Sequence, residues 1–247
     1  MNCHRFSRPV HIFVNFKAHK RTGSNEPVKR NGTDETIERV NQQNELLLLA
    51  KRVQAIAESG HHYTENDYDL DRYVDLAQIS VRMISLITGL SEENIKVLTS
   101  ENHGYRTPKV DVRCVIFNDK DQILMVRERV DSCWSLPGGW CDIGYTPTEV
   151  AEKEAFEEAG IRVKARRVLA IFDKKCHEHP EDLFYTYKVF MECDAEDFGI
   201  STGMETLDVG FFSRYELPVL SMPRNTPYQI DRMFDFHYGR IHWPLAD

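Results

Sequence analysis

The segment Leu136–Ile161 leaves this chain few ways to fold. Gly138, Gly139 and Gly144 permit tight backbone turns. Thr146 and Glu149 are spaced as a capping box, and Pro147 takes the first helical position. Gly160 is placed to close the helix in the left-handed conformation. The segment therefore reads as loop, helix, loop, with a helix over 147–159. On that helix Glu154, Glu157 and Glu158 are spaced i, i+3, i+4 and share one face. Ala151, Ala155 and Ala159 form a small-residue stripe beside them, which lets the helix approach a sheet closely. Like charges at this spacing repel by a few tenths of a kcal/mol on an exposed helix, and by more once buried. A hard divalent cation relieves that repulsion, and carboxylate oxygens suit Mg²⁺ or Mn²⁺ with several waters retained. A solvated acidic face is the plainer reading of glutamate pairs alone; the glycine loop and the capped ends favour a site.

The flanking sequence supplies a sheet. Val110–Phe117 and Gln122–Val126 are β-rich runs broken by residues 118–121, which read as a hairpin. Trp134–Leu136, Val163–Phe172, Leu183–Cys193 and Val209–Ser213 are further strands, and a last helix is expected from Thr226 to Tyr238. Strands interleaved with two helices predict an α/β sandwich with mixed pairing. Ahead of Pro108 the pattern is helical. Leu46, Leu49, Val53, Ile56 and Ala57 recur at helical steps and Gly60 is placed as a stop. A second helix is expected over 69–88, and a third after Ser91, before Gly104. This module carries no catalytic spacing, so packing or dimerisation is its expected role. The predicted organisation is an extension at 1–44, a small helical domain at 45–104 and an α/β domain at 105–247. Within the extension, Val10–Phe16 reads as a short strand and Lys17–Gln43 as a flexible polar tail.

Charge narrows the partners. Residues 1–44 carry 8 Lys/Arg against 4 Asp/Glu, so of the chain's 31 and 39 the remainder carries 23 and 35. An acidic body argues against bulk nucleic-acid binding and suits a protein that holds cations. No run approaches the roughly 18 apolar residues of a membrane helix. Met1–Arg8 lacks the apolar core of a signal peptide, and the six scattered cysteines show no CxxC pair. They read as reduced thiols of a cytoplasmic protein. Cys176-His177-x-His179 lacks a second ligand pair for zinc and reads as a mobile loop.

The segment from Gly139 to Ile161 resembles the Nudix box, G-x5-E-x7-R-E-U-x-E-E-x-G-U, where U is aliphatic. Gly139, Glu154, Ala155, Glu157, Glu158, Gly160 and Ile161 fill their positions. Tyr145 stands in place of the first Glu and Lys153 in place of Arg. Lys153 keeps the charge and loses the planar fork, whereas Tyr145 removes a carboxylate. The resemblance extends over 45–240 to a subgroup with a helical N-terminal domain, described as acting on ADP-ribose or CDP-choline. It is carried also by Tyr63-Thr64, by the residues from Asp69 to Tyr73, by Lys109–Arg113, Val126–Glu128 and Phe172–Lys174, and by Gly203–Glu205.

The resemblance implies a Nudix α/β/α sandwich and metal-dependent hydrolysis of a nucleoside diphosphate linked to another moiety. A metal-activated water would attack a diphosphate phosphorus. Glu154, Glu157 and Glu158 would hold Mg²⁺ or Mn²⁺ with the Gly139 carbonyl, Glu158 being indispensable. Glu154 or Glu205 would serve as general base. Arg113 and Arg127, on strands before the box, are candidates for phosphate contacts, with a structural role as the alternative for each. Trp140 and Tyr145 are candidates to face a base, with core packing as the alternative. The expected partners are a small nucleotide substrate and a second copy in a homodimer, without a membrane or nucleic acid. Two other functions stay open: a Nudix-fold sensor of ADP-ribose or nucleotide without turnover, and a hydrolase of RNA 5′ ends or oxidised nucleotides.

Overall fold

The computed structural model describes residues 32–99, 107–197 and 199–247. The segment expected as a strand at Val10–Phe16, the tail up to residue 31, and Gly104 lie outside them. The chain divides into two compact units, the second running from Pro108 to Asp247.

Among the described residues the first unit holds three helices: α1 (Gly32–Tyr63), α2 (Asp67–Thr88) and α3 (Glu92–Thr99). α1 starts well before the expected boundary at residue 45, so residues 32–43 are helical rather than a tail. The glycines and prolines of the extension end at Gly32, and the following Glu, Arg and Gln residues are good helix formers. Nor does α1 stop at Gly60. A Cβ there would strike the ring of Tyr73 on α2, so this glycine serves close helix packing. Leu47, Ala50, Gln54 and Ala57 form the buried stripe of α1, whereas Leu46, Leu49 and Ile56, expected to be core, are exposed. α2 starts at the Asn66 cap, whose side chain accepts from the amides of Tyr68 and Asp69, and closes at Gly89 with φ +76°.

The described residues of the second unit place eight strands in two sheets. The strands are β1 (Lys109–Val115), β2 (Ile123–Glu128), β3 (Trp134–Ser135), β4 (Gly138–Trp140), β5 (Val163–Asp173), β6 (Thr186–Ala195), β7 (Thr206–Phe212) and β8 (Leu245–Ala246). One sheet has the order β4-β1-β6-β5-β8 and the other β3-β2-β7. β1 runs parallel to β6 and antiparallel to β4, so the pairing is mixed as expected. Helix α4 (Pro147–Ala159) and helix α5 (Pro227–His237) serve separate cores. Ala151, Ala155 and Ala159 of α4 pack with Val112, Cys114, Leu124 and Val126. Ile230, Met233 and Phe234 of α5 pack with Val115, Ile123, Met125 and Phe190. Strand residues alternate between the two cores, which gives the expected α/β/α sandwich. β4 and β8 were not anticipated. Gly138–Trp140 is a strand only because β1 lies beside it, with Arg113 opposite Gly138, Val112 opposite Gly139 and Asp111 opposite Trp140.

Candidate active site

α4 begins as its sequence dictates. The Thr146 hydroxyl accepts from the Glu149 amide, and the Glu149 carboxylate accepts from the Thr146 amide at 2.8 Å. Gly160 closes the helix with φ +67°. The loop after β6 caps the far end. Ser201 N–H donates to the Ala159 carbonyl at 2.9 Å, while Gly203 N–H (3.3 Å) and the Thr206 hydroxyl (2.9 Å) donate to that of Glu158. A side chain at Gly203 would strike the Glu157 carbonyl, so the approach requires glycine there. Glu205 belongs to this loop, and its carbonyl accepts from the Arg129 amide at 3.1 Å.

The helix turns Glu154 and Glu158 inward, at 2% and 6% exposure, and leaves Glu157 exposed. Glu158 Oε2 accepts from the Gly138 amide at 2.9 Å. A Cβ on Gly139 would lie 3.1 Å from the Glu154 carboxyl group, so the Gly139 backbone and that carboxylate are side by side. Burial first, then the neighbouring Glu128, pushes the Glu158 carboxyl well up; Arg113 pulls the other way and Glu154 pushes further up. The site therefore crowds buried carboxyl groups together. Lys153 supplies a cation beside them, with Nζ 3.6 Å from Glu154, 3.8 Å from Glu157 and 3.9 Å from Asp142. Its ammonium is also 5.5 Å from the Tyr145 ring centroid, so the two departures from the box pattern touch each other.

These oxygen donors fit a hard divalent ion, and the glycine-lined approach to Glu154 leaves backbone and carboxylate adjacent. Among the described residues no three Asp, Glu, His or Cys side chains are grouped closely enough to hold a metal ion by themselves.

The remaining expected site residues lie as follows. Trp140 is 6.3 Å from Phe184, with Lys109 Nζ 4.0 Å above the Phe184 ring. Arg127 on β2 donates Nε to the Ser132 carbonyl at 3.0 Å and stands opposite Trp134 and Asp208. That places it in the three-stranded sheet, with its Nε engaged by its own turn. Of the two roles open to Arg113, phosphate contact or structure, its surroundings favour the second: the guanidinium is 1% exposed and bonded to Asp111 and the Leu136 carbonyl. The loop after β5 is a correction. His179 Nδ1 is 2.6 Å from the Met222 carbonyl and His177 Nε2 is 3.1 Å from Asp247, so both rings are anchored rather than mobile. Asp111, Glu128, Asp142 and Lys188 escaped the sequence reading. Asp111 and Arg113 carry a legible signal, because two charges spaced i, i+2 in an apolar strand face one side together.

Comparison with known proteins decides what this geometry belongs to. Residues 107–232 match the Nudix domain. The chain belongs to the Nudix hydrolases. Residues 44–98 match the UDP-X-like N-terminal oligomerisation domain. A Bacillus subtilis protein, YjhB, provisionally named an ADP-ribose pyrophosphatase, is 42% identical over 197 residues, covering 78% of this chain and 93% of that protein. The crystal structure of an ADP-ribose pyrophosphatase from Streptococcus suis superposes with a TM-score of 0.52 at 38% identity, over 57% of this chain and all of that one. The crystal structure of a UDP-X diphosphatase gives 0.53 at 30% identity, over 83% and 99%. In Nudix terms, α4 with the preceding glycine loop is the box, and the helical unit is the appended module.

Proposed function

We propose that this Nudix hydrolase cleaves a nucleoside diphosphate linked to another moiety, ADP-ribose or a CDP-choline-like compound, with water attacking a diphosphate phosphorus. The observation that carries this reading is the inward pair Glu154 and Glu158 behind Gly139, on a helix fixed at both ends. The relatives named for ADP-ribose hydrolysis in Bacillus subtilis and Streptococcus suis support ADP-ribose as the first substrate to try. Glu154, Glu157, Glu158 and the Gly139 carbonyl would hold Mg²⁺ or Mn²⁺. Such an ion, when bound, neutralises diphosphate oxygens and lowers the pKa of a bound water. Glu154 or Glu205 would take the proton from the attacking water, Glu205 from a loop docked on the C-terminal turn of α4. Trp140 and Tyr145 would offer aromatic faces to the nucleoside.

The test is a panel of ADP-ribose, CDP-choline, UDP-sugars, 8-oxo-dGTP and 5′-triphosphate RNA, incubated with Mg²⁺ or Mn²⁺ and resolved by chromatography. Cleavage of one diphosphate to two phosphate products is expected. Tight binding with no cleavage of any compound would replace this reading with a sensor.

We also read the protein as a cytoplasmic homodimer built through its helical unit. Leu46, Leu49 and Ile56 are 48%, 44% and 62% exposed along one side of α1, within the stretch that matches an oligomerisation domain. The five described cysteines are free thiols, and no single described helix is long and apolar enough to cross a membrane. Ile56→Asp should halve the mass measured by sedimentation while leaving the far-ultraviolet spectrum unchanged. An unchanged mass would place the interface elsewhere.

A further inference from the structure

Lys188, Asp111 and Arg113 form a buried row of charges linked to the carboxylates of α4. Strand pairing places them. Asp111 stands opposite Lys188 in the parallel β1–β6 register, and Arg113 stands opposite Gly138 in the antiparallel β1–β4 register. Exposure is 3% at Asp111 and 1% at each of the other two. Asp111 Oδ2 takes the Lys188 ammonium. Its Oδ1 takes Arg113 Nε at 3.0 Å and Nη2 at 2.9 Å. The remaining arm of the guanidinium, Nη1, donates to the Leu136 carbonyl at 3.1 Å.

Leu136 leads directly into the backbone that serves the site. Its amide is held by Asn225 Oδ1 at 3.0 Å, and the next carbonyl, of Pro137, accepts from the Cys114 amide at 2.8 Å. Gly138 then donates its N–H to Glu158 Oε2, and Gly139 lies against Glu154. A continuous set of contacts therefore runs from Lys188 to Glu158. Buried ion pairs are poor devices for stability, because desolvation offsets their attraction. They do fix geometry, and a planar fork that binds a carboxylate and a carbonyl at once has one allowed orientation.

On the reading that the chain is a metal-dependent hydrolase, we propose that Arg113 is a positioning residue. Aimed by Asp111 and Lys188, it holds the Leu136–Gly139 backbone so that the Gly138 amide orients Glu158 and the Gly139 carbonyl faces the ion. Its charge also offsets the carboxylates of Glu128 and Glu158 nearby.

The test uses the full chain with Arg113→Met and Arg113→Lys. Mn²⁺ affinity is measured by electron paramagnetic resonance without substrate, and KM and kcat for ADP-ribose at saturating Mn²⁺. Arg113→Met is expected to lower Mn²⁺ affinity by about 10- to 100-fold, as removal of groups that orient metal ligands does. KM at saturating metal should stay within about twofold, because no contact to substrate is lost. Arg113→Lys restores charge without the fork and should recover only part of the affinity; it also decides the matter if the Met variant does not fold. A raised KM with unchanged Mn²⁺ affinity would make Arg113 a substrate clamp. Unchanged values in both folded variants would reduce it to packing. If the wild-type chain itself neither binds Mn²⁺ nor cleaves any of the diphosphates tried, the hydrolase reading fails first.

Discussion

Glu158→Gln is expected to fold as the wild type, lose Mn²⁺ binding and hydrolyse substrate about 10²- to 10³-fold more slowly, the scale of removing one electrostatic contributor to a transition state. The amide keeps the size of the side chain, and its oxygen can still accept from the Gly138 amide, so the local backbone should hold. What it removes is a negative charge from the inner end of the site, where Glu158 lies buried near Glu128 and Glu154. Two checks read this apart from unfolding: an unchanged melting profile without metal, and loss of the Mn²⁺ signal titrated onto the protein. Retained hydrolysis would transfer the essential role to Glu157 or Glu205.

The second large effect concerns stability. Asp111→Ala leaves the buried Arg113 guanidinium without its carboxylate, and Lys188, whose burial already pulls its ammonium down to about 7, without the group that helps keep its proton. Breaking a buried ion pair by removing one partner costs about 3–5 kcal/mol. For a unit of this size that lowers the melting midpoint by roughly 10–20 °C. Asp111→Asn should cost less, because the amide oxygen still accepts. The same group carries a pH dependence. Burial alone would raise the Asp111 carboxyl, but the cations of Arg113 and Lys188 outweigh it and hold it well below the usual carboxylate range. A carboxylate depressed in the folded state contributes its full stability above its unfolded pKa of about 4, and that contribution is lost as pH falls below it. Acid unfolding of the wild type should therefore steepen below about pH 4. A wild type and an Asp111→Asn variant that lose stability in parallel through that range would refute the assignment.

Local chemistry made α4 legible. Its caps, its three carboxylates and its alanine stripe are all written within one stretch of sequence, and tertiary context had nothing to override. β4 was not legible, since two of its three residues are glycines, which disfavour strands, and it takes its form from β1. β8 is two residues whose partner is the distant β5. The helical unit misled for another reason. α1 has apolar residues on more than one side, and periodicity does not say which stripe meets α2 and which stays outside. Arg113 shows the same limit at the site. A lone strand arginine before a glycine loop suggests a ligand contact, but the second cation on its partner Asp111, Lys188, arrives on β6, where only a parallel register brings it to that carboxylate.

The attachment of α4 at both ends has a consequence for how this enzyme can fail. A helix whose first amides are capped by Thr146 and Glu149, and whose last carbonyls are held by Ser201, Gly203 and Thr206, has no free end from which to unwind. Its amides are expected to exchange with solvent only when the surrounding sandwich opens. Displacement of the α4 carboxylates from the candidate site should then coincide with unfolding of the second unit, with no partly melted species on the way.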